Sequence, residues 1–519
     1  MTAVQAFVGI DAGTTGCTVM IFDEHGVRLG QGYHEYPVSS PRAGWVEQDV
    51  EDVWRGICSA SKQAVAAADL PDEAYKSVGF SSQRGTFIQL DEQKNPLAPS
   101  IVWNDGRALK YQEIFGEEIS PYDYQTLTGM QLSPLWSAAK IAWLRDTEPE
   151  LFERTRWFAN GQEYFLFRMG ASEWASDPAS LTLNGMLDIE KLEWSDTVLG
   201  LCGIDRDKVP PIDIPSGQAG VVSPAAAYAT GIPAGVPLCR GAGDQQCAAI
   251  GAGVIDQGMA EFTVGTAGVM VAHLDGLDRI QGRNLWWGGH AVPGAWDIEG
   301  GAFSLGASLK WWRDNLGRNE QDVAEARGSS VYSVMVDKAQ DSPAGANGLL
   351  FHSFLTSQVT PYYDAASRGG WLGLGIYHTR SDMVRSLLEG CAHEMRMVVD
   401  AFQSDIMGGI NDLRLTGGGT KSNGFAQIMT DIIGQPTKVT RERECTVFGA
   451  AILGAYGSGA FPSIAEAVDA MVNLESEFEP NESTRGMYDE ANAVYRGMYE
   501  ALANSGQYTA LSDFSGKYF

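Results

Sequence analysis

The stretch AFVGIDAGTTGCTVMIFDEHG, residues 6–26, reads as two strands around a tight turn. Ala6 to Ile10 is an apolar run, and Asp11-Ala12-Gly13-Thr14-Thr15-Gly16 is a glycine-rich turn. Cys17 to Asp23 is a second strand, closed by Glu24-His25-Gly26. An acid ends the first strand, and glycines and hydroxyls form the tip. Glycines there free backbone N–H groups to face a phosphate, and Thr14 and Thr15 add hydroxyl donors. Asp11 then faces a metal ion rather than the phosphate itself. An ordinary glycine-rich hairpin has the same pattern, so the rest of the chain must decide. A second hairpin has the same logic: Met259 to Val264, the turn Gly265-Thr266-Ala267-Gly268, and Val269 to His273. Two such hairpins predict a duplicated α/β fold. Each domain offers a glycine–threonine tip, and together the tips grip a polyphosphate across a cleft.

The apolar run Val236 to Cys239 leads into Gly241-Ala242-Gly243-Asp244-Gln245-Gln246, and small residues follow from Cys247 to Gly253. This presents Asp244 at a strand end, where backbone can approach a ligand. A carboxylate there can accept a proton from a substrate hydroxyl or hold a magnesium ion. An Asp-capped structural turn would look similar.

Polar clusters also sit at the ends of other predicted strands. Val78 to Ser81 leads to Gln83-Arg84-Gly85-Thr86, and Ile101-Val102-Trp103 leads to Asn104-Asp105-Gly106-Arg107. Strand ends are the usual place for ligand contacts in α/β folds. Arg84, Asn104, Asp105 and Arg107 could bond several hydroxyls, or form a surface ion-pair network. Between them Asp49 is placed to cap a helix whose apolar face is Val50, Val53, Trp54, Ile57 and Val65.

Further on, Gly301 to Trp312 reads as a helix entry and helix, and another helix starts near Asp382. Leu413 to Thr416 is a strand, followed by Gly417-Gly418-Gly419-Thr420-Lys421-Ser422-Asn423 and a helix to Ile433. Strand, triple glycine and helix N-terminus make a nucleotide-binding element. The glycine- and alanine-rich segment Val447 to Gly454 is expected to pack beneath it.

Composition sets the outer bounds. At 519 residues the chain exceeds one core's usual capacity. A net charge of −28 repels phosphate backbones, so no nucleic-acid partner is expected. ATP remains allowed, because amides and magnesium can build its site. The seven cysteines are scattered without a Cys-x-x-Cys pair, which argues against a disulfide framework or zinc site and suits a reducing compartment. Met1 to Ala6 lacks a basic region, and no run of 18 apolar residues occurs. A soluble, cytoplasmic protein without a membrane span is the expectation. No Gly-x4-Gly-Lys-[Ser/Thr] P-loop or Gly-x-Ser-x-Gly elbow is present.

The ordered set VGIDAGTTG, GWVEQD, WNDGR, GAGDQQ, the GTAG hairpin and LTGGGTKSN resembles the FGGY carbohydrate kinases, from about residue 6 to 460. The resemblance implies two actin-like, ribonuclease H-like domains, each a mixed five-stranded sheet with flanking helices, with ATP and sugar meeting in the cleft. The chain then divides at 1–245 and 246–519. It further implies that Asp244 is the catalytic base and that Asp11, with Asp244, supports Mg2+. Gly13, Thr14, Thr15, Gly265 and Thr266 match phosphate contacts, and Gly418, Gly419 and Asn423 the adenine-side loop. Gln83, Arg84, Trp103, Asp105, Asp244 and Gln245 match the sugar or polyol wall.

Within the family, Trp103 to Arg107 and Glu173 to Asp177 resemble xylulokinases, which usually carry Met-His in place of Gln83-Arg84. Gln83-Arg84, GDQQ and the stretch from Glu299 resemble glycerol kinases, which have tyrosine in place of Leu135 and usually glutamine in place of Lys310. The expected activity is therefore phosphorylation of a ketopentose such as xylulose, with glycerol or another polyol as the alternative and a homodimer left open. An actin- or Hsp70-like ATPase scaffold would share the phosphate hairpins but not the sugar wall.

Overall fold

In the computed structural model, which describes residues 4–518, the residue 6–26 stretch forms the expected hairpin. Strands β1 (Ala6–Ala12) and β2 (Gly16–Phe22) pair antiparallel, and β3 (Arg28–Glu35) extends the meander. Helix α1 (Val50–Ala68) starts at an Asp49 cap, whose side chain accepts from the Glu51 N–H. It buries Val50, Val53, Ile57 and Ala60. Strands β4 (Tyr75–Ser82) and β5 (Pro237–Gly243) run parallel beside β1, giving the order β3-β2-β1-β4-β5. The short strand Gln218–Val221 adds to the β5 edge.

The second half repeats this plan. Helix α2 (Asp244–Gly251) leaves β5, so Asp244 is the first residue of a helix rather than part of an open turn. Strands β6 (Met259–Val264), β7 (Gly268–Leu274) and β8 (Trp296–Ala302) form an antiparallel meander. Part of the Gly301 to Trp312 segment therefore belongs to β8, and α3 (Leu305–Asn315) begins only at Leu305. Helix α4 (Arg380–Asp405) starts in a Thr379/Asp382 capping box. Then come β9 (Asp412–Thr416), α5 (Asn423–Ile433), β10 (Thr437–Thr440) and α6 (Cys445–Gly457). Strands β9 and β10 run parallel to β6, and the order β8-β7-β6-β9-β10 matches the first sheet. Edge strands Trp286–Gly289 and Leu474–Phe478 bring this sheet to seven strands and the first to six, around a shared five-strand core.

The two halves exchange helices. α2 follows the first sheet yet packs on the second, with Ala248, Ala249 and Ala252 against Val271 and Met259. α6 follows the second sheet yet lies on the first, where Val447, Ala450 and Ala451 meet Phe7, Met20 and Phe22. The expectation that this segment lies beneath the triple-glycine loop is corrected: its apolar surface is covered by the opposite sheet. The helices cross at paired glycines. A Cβ on Gly251 would stand 2.0 Å from the Cys445 carbonyl oxygen, and one on Gly449 would stand 1.8 Å from that of Cys247. Only hydrogen fits at such contacts.

A small sheet of Glu47–Gln48, Phe87–Leu90, Ser100–Ile101 and Trp157–Asn160 is inserted in the first half. It carries Gln48 and launches the Val102–Arg107 loop toward the β1–β2 tip. Among the described residues, no helix is long and apolar enough to cross a membrane.

Candidate active site

Asp11 stands at the end of β1, in register with Ser81 of β4, whose hydroxyl donates to it at 3.0 Å. Its carboxyl is pushed up to about 7 by burial and by repulsion from Asp244, with the Ser81 bond pulling the other way and Glu444 adding repulsion. Two carboxylates so placed suit a hard divalent cation. Among the described residues, no group of three or more His, Cys, Asp or Glu side chains forms a metal cage. A Mg2+ ion here would take Asp11 and Asp244 and complete its shell with phosphate oxygens and water.

The hairpin tip is arranged for an anion. The carbonyl of Gly13 accepts from the Tyr36 hydroxyl at 2.6 Å, that of Thr14 from the Gln48 side-chain amide, and that of Thr15 from the Tyr36 N–H at 3.1 Å. With the carbonyls tied back, the N–H groups of Thr14 and Thr15 have no acceptor among the described residues. The second tip reaches the same state by other means. Gly306 and Ala307, in the first turn of α3, donate to the carbonyls of Gly265 and Thr266, each at 3.0 Å. The N–H of Thr266 is left without a described acceptor. Free amides on both tips make nests for phosphate oxygens.

Thr14 and Thr15 differ in what their hydroxyls do. Thr14 accepts from the Trp103 indole N–H at 3.0 Å and donates to Gln83 Oε1 at 2.9 Å. Gln83 in turn donates to Gln48 Oε1 at 2.7 Å. Thr14 therefore has only its backbone N–H left for an anion, whereas the exposed side chains of Thr15 and Thr266 have hydroxyls without a partner among the described residues.

The triple-glycine loop lies beside the second tip, with Gly417 and Gly419 against Val264. Gly417 takes φ +77° and donates to the Arg443 carbonyl at 3.2 Å. Gly418 and Gly419 leave their amides without described acceptors, and exposed Asn423 opens α5.

The acceptor side centres on Arg84, whose side chain is 3% exposed. Its Nε donates to Asp244 Oδ1 at 2.8 Å, and its two Nη atoms donate to Glu299 at 2.7 and 2.9 Å. Burial works against the Arg84 charge, but Glu299 and Asp244 outweigh it and hold the guanidinium protonated. Asp244 Oδ1 also accepts from the Gln245 N–H at 2.9 Å. Among the described residues Asp244 Oδ2 has no hydrogen-bond partner, on a side chain that is 30% exposed. Gln245 Oε1 is buried and without a partner among the described residues.

The structure thus gathers Asp11, Arg84, Asp244 and Gln245 at one place and locks Gln83 and Trp103 into the adjoining wall. Asp105 is placed differently. It has no exposed surface, and its carboxylate holds the Val46 N–H and Arg107, which also pairs with Glu47 at 2.8 Å. That geometry assigns Asp105 to bracing the loop, since no face of it reaches a sugar. Lys140 supports the same loop, donating to the carbonyls of Val102 and Trp103, and burial lowers its amine to about 7.

Sequence reading passed over Glu299, Gln48 and Tyr36 as functional residues. Glu299 carried a usable signal: an acid inside the apolar strand Trp296–Ala302 demands a buried partner. Gln48 and Tyr36 carried none, because their partners, the tip carbonyls and the Gln83 side chain, are brought to them only by the fold.

Comparison with known proteins agrees with this geometry. Residues 6–251 match the N-terminal domain of the FGGY family of carbohydrate kinases, and residues 260–458 match its C-terminal domain. A gluconokinase of Bacillus subtilis is 27% identical over 508 residues, 98% of each chain. A xylulose kinase of Staphylococcus epidermidis is 28% identical over 505 residues, 96% of this chain and 97% of that one. A gluconate kinase structure from Lactobacillus acidophilus superposes with a TM-score of 0.86 at 22% identity, over 96% of this chain and 98% of the other, a likeness of fold. With two tip-bearing α/β domains, the acid pair Asp11 and Asp244 and both family domains matched in order, the chain belongs to the FGGY family of carbohydrate kinases, which transfer a phosphoryl group to a sugar hydroxyl.

Proposed function

We propose that this kinase transfers the γ-phosphoryl group of ATP to a primary hydroxyl of a ketopentose, with xylulose the first candidate. The observation that carries the reading is Asp244, one oxygen held by Arg84 and the other without a partner among the described residues. A carboxylate so aimed orients an acceptor hydroxyl and takes its proton as the bond to phosphorus forms. The tips at Thr14–Thr15 and Gly265–Thr266 cradle the phosphates through free amides, and Gly418, Gly419 and Asn423 line the adenosine side. Asp11 and Asp244 would hold Mg2+, which supplies charge neutralisation at the phosphate oxygens. Motion about the Gly251/Gly449 crossing would close the cleft and exclude water as a competing acceptor.

Xylulose is supported by the WNDGR stretch and by relatives named xylulose kinase. A second reading, glycerol or another polyol, is favoured by the Gln83-Arg84 pair. The test is sugar-dependent ADP release with Mg-ATP across xylulose, ribulose, glycerol, erythritol and fructose. A dominant response to xylulose is expected. A dominant response to glycerol replaces the substrate, and ATP hydrolysis that no sugar stimulates overturns the reading in favour of an ATPase scaffold.

A further inference from the structure

Glu299 lies 215 positions from Arg84 in the chain and belongs to the other sheet, yet both its oxygens are taken by the Arg84 fork. It is 2% exposed. On β8 it stands opposite Val271 of β7, which stands opposite Glu261 of β6. Asp297, two residues earlier on the same face, is bonded by Gln246 Nε2 at 2.8 Å. This face of the sheet carries three buried acids, and Arg84 is the only cation hydrogen-bonded to any of them among the described residues. Burying a carboxylate is costly, and an apolar residue would fill a strand at lower cost.

The arrangement has two chemical consequences. First, with its Nη atoms fixed by Glu299, Arg84 can offer Asp244 only Nε. That contact and the Gln245 N–H occupy Oδ1, which leaves Oδ2 as the oxygen without a partner among the described residues and so available to an acceptor. Second, the Arg84 charge is already neutralised. An acceptor bearing a carboxylate would enter a site holding Asp11, Asp244 and Glu299, and find no unpaired guanidinium. A neutral ketose or polyol meets no such barrier.

We propose that Glu299 is both a positioning and a specificity-determining residue: it holds the Arg84 fork, which aims Asp244 Oδ2 at the acceptor hydroxyl and bars acceptors that carry a carboxylate. This rests on the kinase reading above, not on which neutral sugar is used.

The experiment compares wild type, Glu299→Gln and Glu299→Asp with Mg-ATP. The acceptors are the best neutral sugar from the panel and gluconate. For Glu299→Gln, kcat on the neutral sugar should fall about tenfold or more, with the KM for ATP within about twofold, since a buried charge-assisted pair is lost. The kcat/KM ratio of gluconate to neutral sugar should rise about tenfold or more, because the freed fork can pair with a carboxylate. Glu299→Asp, which keeps the charge, should restore part of both, and it decides the question should Glu299→Gln fail to fold. An unchanged ratio in both variants overturns the proposal, as does a wild type that prefers gluconate. A wild type that prefers glycerol to xylulose changes the substrate reading and leaves this one standing.

Discussion

The two halves share a strand order and both leave tip amides without acceptors among the described residues, but they place their acids differently. Aligned on the tip glycines Gly13 and Gly265, Asp11 falls on Thr263, and its partner Ser81 falls on Thr416. The acid of the second half, Glu261, sits two residues earlier along its strand. It is fully buried and bonded by the hydroxyls of Thr263 and Thr416. One period of a strand therefore separates an acid that can reach a ligand from one sealed in the sheet. The halves also differ after their last core strand, where the first presents Asp244 and the second Cys445. The duplication supplies two glycine–threonine tips with free amides, and on the proposed reading the unequal acids make one half the acceptor side.

Asp244→Asn tests that asymmetry most severely. It should lower kcat by roughly a thousandfold while ATP binding persists, as for loss of a general base. A rate near wild type would remove Asp244 from the chemistry. Next, Asp11→Asn should raise the Mg2+ needed for half-maximal rate by about 10- to 100-fold, in the range of weakened metal support. Thr263→Val at the matching position should leave the Mg2+ titration unchanged. Equal effects would mean that the halves share the metal.

The helix crossing is where the halves should behave alike. Gly251→Ala and Gly449→Ala each press a methyl into a carbonyl of the partner helix. Each should cost about 1–3 kcal/mol in urea unfolding, the range for overpacking a tight contact. A clear inequality would break the symmetry of the pair.

The smallest effect concerns pH. Burial pushes Glu261 up from 4.5 to about 7 against the pull of Thr263 and Thr416. The folded state therefore binds a proton that the unfolded chain releases. Its stabilising contribution is full below about pH 4.5 and is lost as pH rises through about 7. Glu261→Gln should remove about 1–3 kcal/mol of that decline between pH 5 and 8, read from urea midpoints. Asp11 produces a slope of the same sign in metal-free protein, and Mg-ATP should abolish the Asp11 part while leaving the Glu261 part.

Much of this architecture was legible in local sequence. The hairpins at 6–26 and 259–273, the Asp49 cap and the strand–triple glycine–helix unit ending at Ile433 each depend on spacing within a few residues. Backbone geometry and hydrogen-bonding needs act over that range. The acids at the ends of β1 and β5 were legible for the same reason. Thr14 was read correctly as a tip residue, but the capture of its hydroxyl by Trp103 was not readable, because that indole arrives on a distant loop. Asp105 looked like a ligand by composition and is a buried brace, a difference set by Arg107 and Val46 closing over it.

By itself, then, the sequence determined two glycine–threonine hairpins, the strand–triple glycine–helix unit, the strand-end acids and the kinase family, since each is written in contiguous residues. Only the tertiary structure decided that α2 and α6 lie on each other's sheets, that Arg84 holds Asp244 Oδ1, and that Glu299 holds Arg84. Those facts depend on side chains far apart in the chain, and only the packing of one half against the other brings them within hydrogen-bond distance.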